Sequence, residues 1–77
     1  MPFVSIKVIK GALSQEKKKE MIERVSDVVA EIEAAPEPKE RMKPYVWCVI
    51  EEIDEGHWGV GGAPVTLDML SALIKGH

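Results

Sequence analysis

The sequence predicts an α/β (α+β) domain. It is read as a single β-α-β unit with parallel strands, a short C-terminal hairpin or loop, and a short last helix. Three observations predict it. Two runs rich in β-branched and apolar residues, 2–10 and 45–53, read as strands. Between them lies one long stretch with helical periodicity, the connection that parallel strands require. A glycine-dense segment, 54–62, then precedes a last apolar stripe.

The first strand runs from Pro2 to Lys10. Alternation places Val4, Ile6 and Val8 on one face and Phe3, Ser5, Lys7 and Ile9 on the other. Both faces are partly apolar, so both are expected to be covered. Gly11 ends the strand. Ser14 is the expected N-cap of a helix over Gln15–Ala34, with Glu16 in the first turn, where the helix dipole favours an anion. Met21, Ile22, Val25, Val28, Val29 and Ile32 form its apolar face, and Lys18, Glu20, Glu23, Arg24, Asp27 and Glu31 are assigned to water. Pro36 and Pro38 prevent its continuation. A charged linker, 37–43, leads through Pro44 into the second strand, Tyr45–Ile53. Residues 54–62 are expected to fold as a short hairpin, and Thr66 to cap a helix whose stripe is Leu67, Leu70, Leu73 and Ile74.

Seventy-seven residues make one domain, 1–77, near the lower limit for a chain that must bury its own core. The single cysteine, Cys48, rules out an internal disulfide and fits a reducing, cytoplasmic setting. Association of copies is the remaining route to stability. A two-stranded parallel sheet with one helix leaves two open edges and an apolar face. Two units dimerising into a four-stranded sheet with two helices would solve this, and further association would bury the remaining face. The net charge of −3 argues against nucleic acid, and the Lys17-Lys18-Lys19 run reads as a solvated helix face. No apolar stretch has the length of a membrane span, and no leader is expected.

Chemistry points to Pro2. A proline behind the initiator methionine usually becomes the first residue, with a rigid secondary amine. Such an amine titrates not far above neutrality, and an apolar pocket lowers it further, which suits a base in proton transfer. Other candidates fare worse. The glycines at 56, 59, 61 and 62 lack the Gly-Lys-Ser/Thr of a phosphate loop and read as turn residues. His57 has no cysteine or second histidine nearby and His77 is a tail residue, so neither a metal nor a cofactor is expected. Cys48, in mid-strand, reads as a packed small hydrophobe. Trp58, in the glycine loop, must pack on a neighbouring subunit or line a ligand pocket.

Taken together, these residues resemble the 4-oxalocrotonate tautomerase family. The resemblance rests on Pro2, the strand to Lys10-Gly11, Met21-Ile22-Glu23-Arg24-Val25-Ser26, Ala35-Pro36, Val49-Ile50-Glu51-Glu52-Ile53 and, above all, Gly56-His57-Trp58-Gly59-Val60-Gly61-Gly62. It implies the tautomerase fold and an isomerase. Pro2, freed of Met1, would be the general base and acid that moves a proton in a small enol or keto acid. It implies that Trp58 lines the pocket and helps keep the proline weakly basic, with Phe3, Ile9 and Val60 as apolar walls. It also implies homohexamers built as trimers of dimers, with shared sites.

Two departures stand out. The family archetype grips a dicarboxylate with two arginines, and this chain has Ala12-Leu13 and Trp47 at those places. Neither replaces a bidentate fork. Substitute cations are Lys10, Arg41 and Lys43, with Lys7 more remote, and Trp47 gives a more aromatic pocket suited to a monocarboxylate enol. Val60 stands where some relatives carry a water-activating carboxylate, which argues against hydrolytic dehalogenation. The alternatives to a tautomerase are a decarboxylase or carbon–carbon addition enzyme using the same proline, or a non-catalytic binding homologue.

Overall fold

The alternating and helical patterns produce the elements in the expected order. A computed structural model describes residues 1–76; His77, read as a tail residue, lies outside the described residues. It contains β1 (Phe3–Ile9), α1 (Gln15–Ala34), β2 (Trp47–Ile53), β3 (Gly59–Val60), β4 (Ala63–Pro64) and α2 (Leu67–Lys75). Strands β1 and β2 pair in parallel, from Phe3 opposite Trp47 to Ile9 opposite Ile53. The crossover helix lies on the face that carries Val4, Ile6 and Val8, where Lys18 of α1 pairs with Glu52 of β2.

Local chemistry fixes the helix ends. Ser14 Oγ accepts the Lys17 N–H at 3.1 Å, satisfying one of the orphan donors of the first turn of α1. Thr66 Oγ1 does the same for α2, accepting from the Met69 N–H at 3.2 Å. The Glu55 carboxylate accepts the N–H of Leu67, so α2 is also capped from a loop residue twelve positions upstream. The hairpin β3–β4 turns through Gly61 (φ 61°) and Gly62 (φ 86°), the two-residue turn with both central residues left-handed that matches strand twist.

Three expectations need correction. The second strand starts at Trp47, because Lys43–Tyr45 forms a 3₁₀ turn with Pro44 preset for it. On α1 the deepest residues are Ser26 and Ala30, while Val28 and Ile32 lie exposed and Lys18 and Asp27, assigned to water, are half-buried. A helix set close over two strands meets them through its small residues. On α2, Leu67 and Leu70 pack inward, but Leu73 and Ile74 stay about three-quarters exposed, at 76% and 74%.

The chain is therefore under-buried. Its hydrophobic core proper is Ile9 and Ala30, and its accessible surface is 5892 Å². A folded monomer of this mass exposes about 4,650 Å². The radius of gyration is 15.5 Å, against about 11.5 Å for a compact chain of this length. The sheet face away from α1 is open: Phe3 and Trp47 are 64% and 60% exposed, with Val49 beside them. The hairpin forms a separate two-stranded sheet, and its residues are exposed.

Candidate active site

Pro2 sits at the head of β1, half-buried, and its carbonyl accepts the Trp47 N–H at 3.0 Å. That bond continues the parallel ladder one residue beyond β1 and ties the start of the chain to β2. Directly after it, Phe3 and Trp47 face each other across the strands as a stacked pair, ring centroids 6.3 Å apart and planes inclined by 30°. Such a pair adds to the area it buries through the complementary charge distribution of the rings. Here it forms an aromatic shelf on the open sheet face.

The N-terminal amine of Met1 is 3.3 Å from Glu33 Oε1, in the last turn of α1. That turn carries no basic side chain, so the chain terminus supplies the cation at the negative end of the helix. Sequence reasoning did not single out Glu33. Its signal was an acid at the C-terminal end of a helix whose last turn holds no basic residue, where acids are unfavourable.

The same end of the fold is cross-linked by charge. Asp27 Oδ1 is sealed from solvent and lies 2.8 Å from Lys43 Nζ and 3.6 Å from Lys39 Nζ. The Lys43 ammonium first, and Lys39 after it, hold the Asp27 carboxyl below its ordinary 3.8. Asp27 in turn raises Lys43 above its ordinary 10.5. The signs give two limbs. A depressed carboxyl stabilises the fold above its unfolded value and loses that contribution as pH falls through the folded one, below 3.8. A raised amine stabilises the fold below 10.5 and loses that contribution as pH rises through its folded value. Asp27→Asn is expected to lower the melting temperature at neutral pH and to flatten both limbs of a melting-temperature profile. An unchanged profile would show that the tie contributes nothing.

These contacts sort the candidate cations. Lys43 is engaged by Asp27. Lys18 and Arg24 are engaged by Glu52 and Glu20. Arg41, exposed on the Lys39–Arg41 turn, and Lys10, exposed beyond β1, form no ion pair among the described residues. Lys7 stands opposite Glu51 in the ladder, and Glu51 accepts a hydrogen bond from Ser5 Oγ at 3.1 Å.

The remaining candidates lie at the other end. Trp58 is half-buried in a groove of about 310 Å³ lined by Lys7, Val8, Ile9, Ala12, Leu13, Leu70 and Ile74. The Trp58 carbonyl accepts the Val65 N–H at 2.7 Å, which holds the base of the hairpin. Ile9 is 7% exposed, and Val60 lies open on the hairpin. Ile9 lies six residue steps along β1 from Phe3, roughly 20 Å of extended chain. A single chain thus gathers Pro2, Phe3 and Trp47 at one end and Ile9, Lys10, Trp58 and Val60 at the other. Depressions of about 360 and 420 Å³ beside α1 are larger, but they touch neither group. Among the described residues no three acidic, histidine or cysteine side chains converge as a metal site, and no helix is long and apolar enough to cross a membrane.

Comparison with known proteins gives this arrangement a context. The family model described as "Tautomerase enzyme" matches residues 2–68. A probable tautomerase of Halalkalibacterium halodurans is 37% identical over 67 residues, covering 86% of this chain and 97% of that protein. Among solved structures, a 4-oxalocrotonate tautomerase isozyme of Methylibium petroleiphilum superposes with a TM-score of 0.62 at 33% identity, over 90% of this chain and 97% of that one. Helicobacter pylori DmpI superposes with a TM-score of 0.63 at 30% identity, over 83% and 90% of the two chains. A match that runs from Pro2 through the strands, the crossover helix, the glycine hairpin and into α2 shows that the chain belongs to the tautomerase family of isomerases.

Proposed function

We propose that this tautomerase interconverts the enol and keto forms of a small 2-hydroxydienoate or arylenolpyruvate, with the amine of Pro2 as base and acid once Met1 is removed. The amine takes the proton of the 2-hydroxyl, the electron pair moves through the enol, and the same proton returns to carbon, leaving the 2-oxo acid. No atom is gained or lost. The observation that carries this reading is Pro2 at the head of β1, pinned by the Trp47 N–H beside an exposed aromatic shelf. The shelf also supports the substrate class. Trp47 and Ala12-Leu13 offer no carboxylate fork, so a single carboxylate on a flat, conjugated or aromatic body suits the site better than a dicarboxylate.

The separation of Trp58 from Pro2 within one chain supports a site shared between copies. Trp58, Val60, Ile9 and Lys10 of one chain would close over Pro2, Phe3 and Trp47 of another, with Arg41 or Lys10 holding the carboxylate. The excess exposed surface supports the assembly this requires, in cytoplasmic homohexamers.

Processed wild type and Pro2→Ala, compared on a panel of enol acids, test the reading. The replacement leaves a flexible primary amine, and kcat/KM is expected to fall by about a hundredfold. Equal rates would overturn the proline-base mechanism. Arg41→Ala and Lys10→Ala are expected to raise KM with kcat little changed where that cation holds the carboxylate.

A further inference from the structure

We infer that α2 is a specificity wall: through Leu70 and Ile74 it closes the groove beside Trp58, and that groove takes the apolar, aryl-type tail of a monocarboxylate enol acid. This rests on the reading of Trp58 and Pro2 as parts of one site shared between copies. The family model ends at residue 68, so α2 lies almost wholly outside the part of the chain that it matches. The wall is therefore a feature of this chain that the common family pattern does not supply.

The helix is built in rather than trailing. Thr66 Oγ1 and the Glu55 carboxylate accept the N–H groups of Met69 and Leu67 at its start. Gly76, in the left-handed conformation, closes its end by donating to the carbonyls of Ala72 and Leu73. Its first residue seats on the end of β1: a methyl group on Gly11 would come within 3.0 Å of Leu67 Cδ1. Glycine at that position thus lets α2 approach the turn that follows β1. The approach brings Leu70 and Ile74 into one groove with Ala12, Leu13, Ile9 and Trp58.

Two observations choose the occupant. Ala12-Leu13, at the place of an archetypal arginine, lines this groove, so an apolar wall stands where a dicarboxylate's second anion would be gripped. Lys7 is the one charged side chain among the described lining residues; it is exposed and stands opposite Glu51 in the ladder, which offsets its charge. Its stem extends the apolar surface while its ammonium stays in water. The volume, about 310 Å³, meets the lower bound of small-molecule sites, roughly 300 Å³, and the half-buried Trp58 offers a flat face for a ring.

The helix supplies its own control. Ile74 and Leu73 are neighbours with nearly equal exposure, 74% and 76%, yet Ile74 lines the groove and Leu73 does not. The test is an NMR titration of the processed protein with three unreactive acids: 3-phenylpropanoate, propanoate and glutarate. The reporter is the indole N–H of Trp58, assigned by its loss in Trp58→Phe. Saturable movement of that signal by 3-phenylpropanoate, tighter than by either other acid, is expected. Ile74→Ser should weaken this binding by about tenfold, the loss that follows when an apolar contact leaves a pocket, and Leu73→Ser should leave it as in wild type. On enol acids the same variant should raise KM for an arylenolpyruvate with kcat little changed. A silent Trp58 would mean that the groove is closed by another copy, and equal effects of the two serine variants would mean that α2 acts only through stability. Glutarate binding as tightly as 3-phenylpropanoate would mean that Lys7 reads a second anion. Each of these results overturns the inference. The titration needs no turnover, so it stands apart from Pro2→Ala: the proline-base mechanism can fail while the groove still binds the tail, and the reverse.

Discussion

A chain that keeps Met1 is expected to lose roughly 10²- to 10⁴-fold of its tautomerase rate, the usual contribution of a positioned general base. The nitrogen of Pro2 is then an amide, whose lone pair is delocalised into the planar peptide bond and accepts no proton. Met1 does bring an amine of its own, but that amine is one residue step away and is engaged by Glu33 at 3.3 Å. Misplacing a reacting group by as little as about 1 Å can cost a hundredfold, so an amine displaced by a whole residue does not substitute. Protein purified with Met1 retained, verified by intact mass, would be assayed beside the processed form. Equal activity in the two would show that the terminal amine of Pro2 is not the base, whatever Pro2→Ala does.

Much of this site was legible in the sequence because its signals are local. Ser14 and Thr66 stand one residue ahead of their helices and bond the N–H groups three positions on, as caps do. Gly61-Gly62 sits between two short paired segments, and a turn with two left-handed residues needs that chemistry. The bounds of α1 followed from Ser14 at one end and Pro36 at the other. Contacts between distant residues were not legible in the same way. Nothing in the order of residues links Glu55 to the N-terminus of α2, or Asp27 to Lys43. The periodic apolar set of α1 misled in an instructive way. Val28 and Ile32 satisfy the helical pattern, yet they face away from their own sheet while Ser26 and Ala30 lie against it. Periodicity records every surface a helix must eventually bury, and a chain that associates buries part of that surface on other copies. Leu73, Ile74, Phe3 and Trp47 follow the same rule. The split between the Pro2 and Trp58 ends has this origin too: both belong to one family pattern, and only three-dimensional spacing reveals that one chain cannot join them.

Val49→Lys is expected to abolish assembly and, with it, the folded state. Val49 lies on the open face of the sheet, one ladder step along its face from Trp47 and opposite Ser5. The single chain exposes more surface than a stable monomer of its mass and, among the described residues, has no large side chain fully buried, so its own contacts leave little margin. Association over the open face would enclose Phe3, Trp47 and Val49, and a lysine there would have to shed its hydration beside Glu51, whose carboxylate already accepts the hydroxyl of Ser5 opposite the substituted position. Burying an ammonium costs several kcal/mol in lost hydration, enough to dissociate copies whose folding depends on one another. Sedimentation and far-ultraviolet circular dichroism should therefore change together: wild type sediments as an oligomer with its helical signal, and the variant as an unfolded single chain. Val49→Ile, which keeps the face apolar, should assemble as wild type does and separates loss of hydrophobic contact from loss of shape. An oligomeric, fully folded Val49→Lys would mean that this face stays in water, and the surface that completes the site would then have to be sought on Val28 and Ile32 of α1 or on Leu73 and Ile74 of α2.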